Sequence, residues 1–308
     1  MKTKALNSDF LMILTAVIWG FTFVAQKVGM DYIGPFLFSG LRFALGALVI
    51  LPFLCQALKK EKKKDNKPIL TKNILFGGFF VGLVLTTALN LQQVGLMFTS
   101  VTHSGFITGL YVIIVPLIGI FLKHKTGLGT WIGAVFAVIG ILLLSVNADY
   151  EMSSGDLLQL AGAFIWAIHV LLVGHFVSKF NAILLAFIQF VVCAILSLIL
   201  AIIFEKINLL SIYHAVPSLL YGGILAAGVG FTLQVIAQKN ALPSHAAIIL
   251  SLESVFSAIA GALILNEVLP LKGYIGCGLM FIGMLISQLY PYKKLKKMAR
   301  LRRIRKIK

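Results

Sequence analysis

The sequence predicts an all-α membrane protein of ten transmembrane helices arranged as two inverted five-helix repeats. Three observations carry this reading. Of the 308 residues, 59% are hydrophobic and 12% charged, against roughly 25% charged in soluble domains. Apolar runs long enough to cross a hydrocarbon core of about 30 Å, which takes roughly 20 helical residues, recur along the chain. Finally, Ile18-Trp19-Gly20 leading to Arg42-Phe43 is echoed about 147 residues later by Ile165-Trp166-Ala167 leading to Gln189-Phe190, an internal repeat inside apolar segments. Period-2 alternation is absent, which argues against a barrel.

The first span, at about 9–28, follows Lys2 and Lys4 as a cleaved signal would. Its length, its lack of a small-x-small cleavage site and its place in the repeat argue for a retained helix. Thr15, Trp19, Thr22 and Gln26 fall at i, i+4, i+7 and i+11. That is one helical face whose polar groups should look inward, away from lipid. The second span, at about 35–57, holds Arg42. The third, at about 73–94, shows a stripe of Gly78, Gly82, Thr86 and Asn90, with Gln93 beyond it. The fourth, at about 100–122, begins with His103 and carries Ser104, Thr108 and Tyr111 on one face. The fifth, at about 127–146, contains Ile132-Gly133 and Ile139-Gly140.

The second copy follows the same order. The sixth span, at about 156–176, sets Trp166 and His169 one turn apart, so the two could share an inward face and stack on a solute. The seventh, at about 182–204, has Gln189 where the first copy has Arg42. The eighth, at about 216–238, carries Gly222-Gly223, matching Gly77-Gly78, and a stripe of Gly222, Ala226, Gly230, Gln234 and Gln238. Small residues at every fourth position let helices approach closely, and packing is the plainer role for these glycines. The ninth span, at about 244–266, buries Glu253. The tenth, at about 270–290, repeats the fifth with Ile275-Gly276 and Ile282-Gly283. Five spans per unit is an odd number of crossings, so the second copy must enter the membrane from the opposite side. The units are residues 1–147 and 148–290.

Charge orients the chain. With a cytoplasmic N-terminus, the inner side receives Lys2, Lys4, the lysine-rich stretch 59–72, Lys123, Lys125, Lys179, Lys239 and the tail, while the outer loops keep only Lys206 and Lys272. The positive-inside rule therefore places both termini in the cytoplasm, and the cell membrane is the expected location. The tail 291–308 holds ten basic residues and no acidic one from Lys293 onward. It reads as a positive-inside anchor, with an interfacial helix on anionic lipid as the functional alternative. No aromatic platform accompanies that charge, so nucleic acid is not an expected partner. Cys55, Cys193 and Cys277 are far apart in apolar runs, without redox or metal spacing. No cofactor, metal site or enzyme motif is expected.

Glu253 is the most suggestive single position. An acidic residue near mid-span costs about 2.5–3.5 kcal/mol on insertion scales and is functional by default. It reads either as a proton-coupling or cation-binding group or as a structural ion-pair anchor. Arg42 lies at a depth that would allow a pair if the helices adjoin, and could instead hold an anionic solute group. Asn90 and Gln93 near the outer mouth, and Gln234 and Gln238 near the inner one, are candidates for solute contacts or gates, or for interhelical hydrogen bonds. His103 and His169 could relay protons or simply pack.

Trp19-Gly20 with Phe23 and Lys27, Pro35, Arg42-Phe43, Thr108-Gly109-Leu110-Tyr111, Leu252-Glu253, Val255-Phe256, Asn266-Glu267 and the paired glycines of spans five and ten resemble the drug/metabolite transporter superfamily, in its EamA-like branch. The resemblance runs from about residue 10 to 290. It implies a secondary carrier with two inverted five-helix halves around a central cavity. Three positions depart from the pattern: Ser254 where proline is common, Lys123-His124-Lys125 where an acidic residue is common, and Ala167 for glycine. The expected function is secondary transport of a small organic metabolite or drug-like solute by alternating access, possible in either direction and with proton coupling open, by a monomer or homodimer. The alternatives are a lipid-handling protein or membrane-embedded enzyme, and a solute channel. The loops are short and poor in His/Asp/Glu clusters, which disfavours the enzyme.

Overall fold

The computed structural model describes residues 2–64, 70–123, 127–145, 153–268, 271–276 and 278–287. Cys277, the repeat boundary near residue 147 and the basic tail 291–308 lie outside them. Among the described residues every regular element is helical: α1 (Lys2–Gly29), α2 (Pro35–Lys64), α3 (Lys72–Met97), α4 (Val101–Gly109), α5 (Tyr111–Phe121), α6 (Leu128–Ser145), α7 (Ser154–Val177), α8 (Ala182–Phe204), α9 (Leu209–Leu220), a π-helix (Tyr221–Phe231), α10 (Thr232–Gln238), α11 (Pro243–Leu250) and α12 (Glu253–Leu265). A last helix, α13, is Leu271–Ser287. In hydrocarbon a backbone without water must satisfy its own N–H and C=O groups, and helices do so within one segment.

Among the described residues, eight stretches are long and apolar enough to cross a membrane: 7–29, 35–59, 72–97, 101–121, 154–177, 182–204, 209–238 and 243–265. The segments expected at 127–146 and 270–290 are shorter apolar helices, Leu128–Gly140 and Leu271–Ser287. The eighth span begins at Leu209 rather than near 216. Asn208 caps it there by accepting from the Leu210 and Ser211 amides at 2.8 and 3.4 Å, a signal that hydropathy alone does not weigh. Other starts follow the same chemistry. Ser153 and Asp156 form a reciprocal capping box on α7, and Asn181 caps α8.

Polarity is arranged inside out relative to a soluble protein. Large apolar side chains such as Phe76, Ile202 and Leu263 face outward, while Gln26, Arg42, Gln93, His169, Gln189, Gln234 and Glu253 are buried. A lipid solvent rewards this distribution, because an unmet polar group at the lipid face costs several kcal/mol. The two halves interleave: α1 packs along α12, α2 along α8, and α3 along α7 and α8. Glycines permit the closest approaches. A Cβ on Gly133 would lie 2.6 Å from the Gly283 carbonyl oxygen, and one on Gly140 would lie 2.5 Å from that of Gly276, so α6 and α13 cross antiparallel through repeat-equivalent glycines. A Cβ on Gly20 would meet the Phe256 backbone at 2.7 Å, which fixes α1 against α12.

Two spans are interrupted at mid-length. Leu110 separates α4 from α5, and Ser251 with Leu252 separates α11 from α12, each through tightened turns that keep right-handed backbone angles. Gly109 weakens the helix at the first break. At the second, the Ser251 hydroxyl folds back onto the Ile248 carbonyl at 2.9 Å, a contact that bends helices.

The two ends of the bundle are held differently. At the end where α1 finishes, the Glu205 carboxylate accepts from the Phe36 and Leu37 amides at the start of α2, at 2.7 and 2.9 Å. The Glu267 carboxylate accepts from the Val101 and Thr102 amides at the start of α4, both at 3.0 Å, and from the Thr102 hydroxyl. Each glutamate follows a helix of the second repeat and caps one of the first, where the helix dipole favours an anion. At the opposite end, His245 Nε2 meets Asp9 Oδ1 at 3.0 Å and His245 Nδ1 meets Ser287 Oγ at 3.3 Å. Asn266, just before Glu267, and Lys123 both have positive φ, 55° and 58°. They are repeat equivalents, so His124 occupies the sequence position that corresponds to Glu267.

Candidate functional site

A cavity opens at the level of the two helix interruptions, offering about 30 Å³ to water-sized molecules. Trp19, Thr22, Phe23 and Gln26 line it from α1, Arg42 from α2, Leu89 and Gln92 from α3, and Tyr111 from the first residue of α5. The second repeat supplies Trp166 and Val170 from α7, Ala226 and Phe231 from the π-helix, Gln234 from α10 and Glu253 from the first residue of α12. Of the residues singled out in the sequence, Trp19, Thr22, Gln26, Arg42, Tyr111, Trp166, Gln234 and Glu253 therefore meet around one space.

The inward face read on α1 is the face the structure uses. Thr15 donates to the Gly230 carbonyl at 3.3 Å, and Trp19 Nε1 to that of Ala226 at 3.4 Å. Trp19 and Trp166 touch at one wall of the cavity rather than facing each other across it. Their ring centroids are 6.4 Å apart, and Phe231 packs against both at 4.5 and 5.9 Å.

Arg42 is 3% exposed and has no acidic partner among the described residues. The one ion pair among the described residues is His245–Asp9. With the Gln26 amide turned so that its oxygen faces the guanidinium, Arg42 donates to Gln26 Oε1 from Nη1 at 3.0 Å and Nη2 at 3.2 Å, and the Gln26 and Gln93 amides lie 2.7 Å apart. The cation also rests near the Phe38 and Phe43 rings, 5.7 and 5.3 Å from their centroids. Its Nε has no partner. Glu253, 4% exposed, forms no ion pair with Arg42. The Tyr111 hydroxyl faces its carboxyl without a hydrogen bond of strict geometry. Glu253 is the first residue of α12. One basic and one acidic side chain, each from a different repeat, thus face the same cavity without pairing with each other.

The remaining expected residues are engaged away from the cavity. Asn90 donates to Ser197 Oγ at 3.0 Å, because the third-span stripe faces α8: a Cβ on Gly78 would strike Ile188, and one on Gly82 would strike Val192. Gln93 braces Gln26, and Gln238 donates to the Val170 carbonyl at 3.0 Å. His169 is fully buried, bonded through Nε2 to Gln189 Oε1 at 3.0 Å and edge-on to Trp166. Thr108 accepts from Gln92 Nε2 at 3.1 Å and donates to Gln159 Oε1 at 3.4 Å. The His103 amide donates to the Ser100 hydroxyl in the first turn of α4, and its ring does not line the cavity.

Gln92 and Phe231 were not singled out in the sequence. Gln92 lies three residues beyond Leu89, and together they form the α3 face that meets the cavity. Phe231 is set by the π-helix. Residues five apart bond in that geometry, which brings Phe231 onto the face of Ala226, a register that a 3.6-residue period does not anticipate.

The model of the EamA-like transporter family matches the chain twice, over residues 6–146 and 153–288. The chain belongs to this family. Similar proteins include an uncharacterized transporter of Archaeoglobus fulgidus, 31% identical over 292 residues that span 93% of this chain and 87% of that one. YoaV, an uncharacterized transporter of Bacillus subtilis, is 26% identical over 90% of this chain and 94% of its own. A probable amino-acid metabolite efflux pump of Salmonella typhimurium is 29% identical over 175 residues, 52% of this chain and 51% of that one. A solved crystal structure shares the fold, with a TM-score of 0.72 over 93% of this chain and 98% of that chain at 18% identity. Family membership and the apolar helices together make this a multi-pass membrane protein that transports small solutes, not an enzyme.

Proposed function

We propose that the chain is a secondary carrier that moves a small zwitterionic, partly apolar organic solute by alternating access, with Arg42 holding the solute's anionic group and Glu253 its cationic one. The observation that carries this reading is the cavity itself, where an arginine and a glutamate that do not pair with each other share a space walled by Trp19, Trp166 and Phe231. Bidentate donation makes arginine well suited to a carboxylate. A single cation suits polyphosphates poorly. The efflux pump of Salmonella typhimurium, with its amino-acid metabolites, is in keeping with such a solute.

In this reading the ten helices form two inverted halves, 1–147 and 148–290, with both termini cytoplasmic in the cell membrane. The antiparallel glycine contacts between α6 and α13 and the matching interruptions of two spans support the inversion. The Lys/Arg distribution supports the orientation. The Glu205 and Glu267 caps would then close the outer mouth, and outward opening would release them. Proteoliposomes loaded with L-leucine and assayed for uptake of labelled L-leucine and L-alanine test the reading. Saturable uptake accelerated by internal solute is the expected result. Uptake equal to protein-free liposomes for amino acids, amines and nucleosides alike, with and without a pH gradient, would overturn it.

A further inference from the structure

Phe231 packs among the aromatic side chains that wall the site. Its ring lies 4.5 Å from that of Trp19, 5.9 Å from Trp166 and 5.3 Å from Phe43, so it fills the angle between aromatic residues of both repeats. The space left beside it, about 30 Å³, holds a few water molecules, while sites for drug-sized ligands measure about 300 Å³ or more. The polar groups around this space are set for a guest. Gln234 is fully buried with neither amide atom bonded, and Trp166 Nε1 and Arg42 Nε also have no partner. The repeat breaks its symmetry here. Counting from the paired glycines Gly77-Gly78 and Gly222-Gly223, the position equivalent to Phe231 is Thr86. Thr86 lies in an uninterrupted α-helix and donates to the Gly82 carbonyl at 2.7 Å. Only the second repeat combines a bulky ring with a π-helix that turns it into the cavity.

We propose that Phe231 is the specificity-determining residue of this site: its ring sets the largest solute that the cavity admits, filling the space that larger solutes need. The proposal rests on the carrier reading for its solute, but its test does not. In full-length purified protein carrying Trp131→Phe, the remaining tryptophans are Trp19 and Trp166, and both face the cavity. Their fluorescence is quenched with acrylamide and with the larger N-methylnicotinamide. Phe231→Ala should raise quenching by the larger molecule at least threefold and quenching by acrylamide less. Phe231→Leu should fall between. In counterflow with glycine, L-leucine and L-tryptophan, the alanine variant should raise the tryptophan-to-glycine flux ratio about tenfold. Phe231→Leu is the variant of record if the alanine variant does not fold. Quenching by both molecules unchanged in the folded variants would overturn the proposal. If quenching shifts while no zwitterion is moved by any version, the size filter stands and the zwitterion carrier falls.

Discussion

Replacing Arg42 with methionine should reduce solute exchange by about a hundredfold while leaving the protein as stable as before. A hydrogen bond to a charged group contributes about 1.5–3 kcal/mol, and every 1.4 kcal/mol is about tenfold in affinity. A two-point carboxylate contact therefore accounts for a loss of that size. The stability half of the expectation comes from the same geometry. Arg42 has no carboxylate partner to strand, its main acceptor Gln26 keeps the Gln93 amide, and an apolar chain of similar length fills the contact with Phe38 and Phe43. A central arginine costs about 2.5–3.5 kcal/mol on insertion scales, so its removal should leave melting unchanged or raise it. Counterflow and a thermal melt on the same preparation check both halves. Arg42→Lys should recover only part of the exchange, because an ammonium lacks the planar fork that meets a carboxylate at two points. Normal exchange by the methionine variant would remove Arg42 from the solute path.

Glu253→Gln should abolish accumulation driven by a pH gradient, by at least tenfold, and flatten the pH dependence of flux. Among the described residues Glu253 is the only carboxylate lining the cavity. A single carboxylate can hold either a proton or the solute's ammonium. The two therefore compete, and a proton bound from one side can displace solute to the other. The sign follows directly. Wild-type binding should weaken as pH falls and the carboxylate takes up a proton. The glutamine variant mimics the protonated form at every pH, so it should bind weakly and without pH dependence. Flux measured from mildly acidic to mildly alkaline buffer separates the cases. A variant with the parent's pH profile would make Glu253 a structural anchor.

The architecture was legible wherever hydrophobicity has a period. Thr15, Trp19, Thr22 and Gln26 face inward as their spacing predicts, because the helix bearing them stays regular and polar groups there have no alternative to the interior. On α3 the same logic finds the stripe but not the neighbour it meets. Its small residues Gly78 and Gly82 were correctly read as helix packing, yet they carry Asn90 against α8 with them and leave Leu89 and Gln92 to the cavity. Phe231 was invisible for a different reason: a π-helix alters the register by a fraction of a residue per turn, and nothing in Tyr221–Phe231 beyond its glycines announces that. The Arg42–Glu253 pair considered from depth alone does not form. Depth fixes how far two charges lie along the membrane normal and is silent on their separation within its plane. The glutamate caps at Glu205 and Glu267 are not legible in the sequence, since the amides they cap lie more than 150 residues away.

The central claim is that one cavity between two repeats is exposed to each side of the membrane in turn. Thr22 lines that cavity and is 5% exposed, so a Thr22→Cys substitution in a cysteine-free background reports on it directly. Reaction with a membrane-impermeant maleimide, measured in right-side-out and in inside-out vesicles, should proceed from both faces. Reaction confined to one face in both preparations would contradict the account.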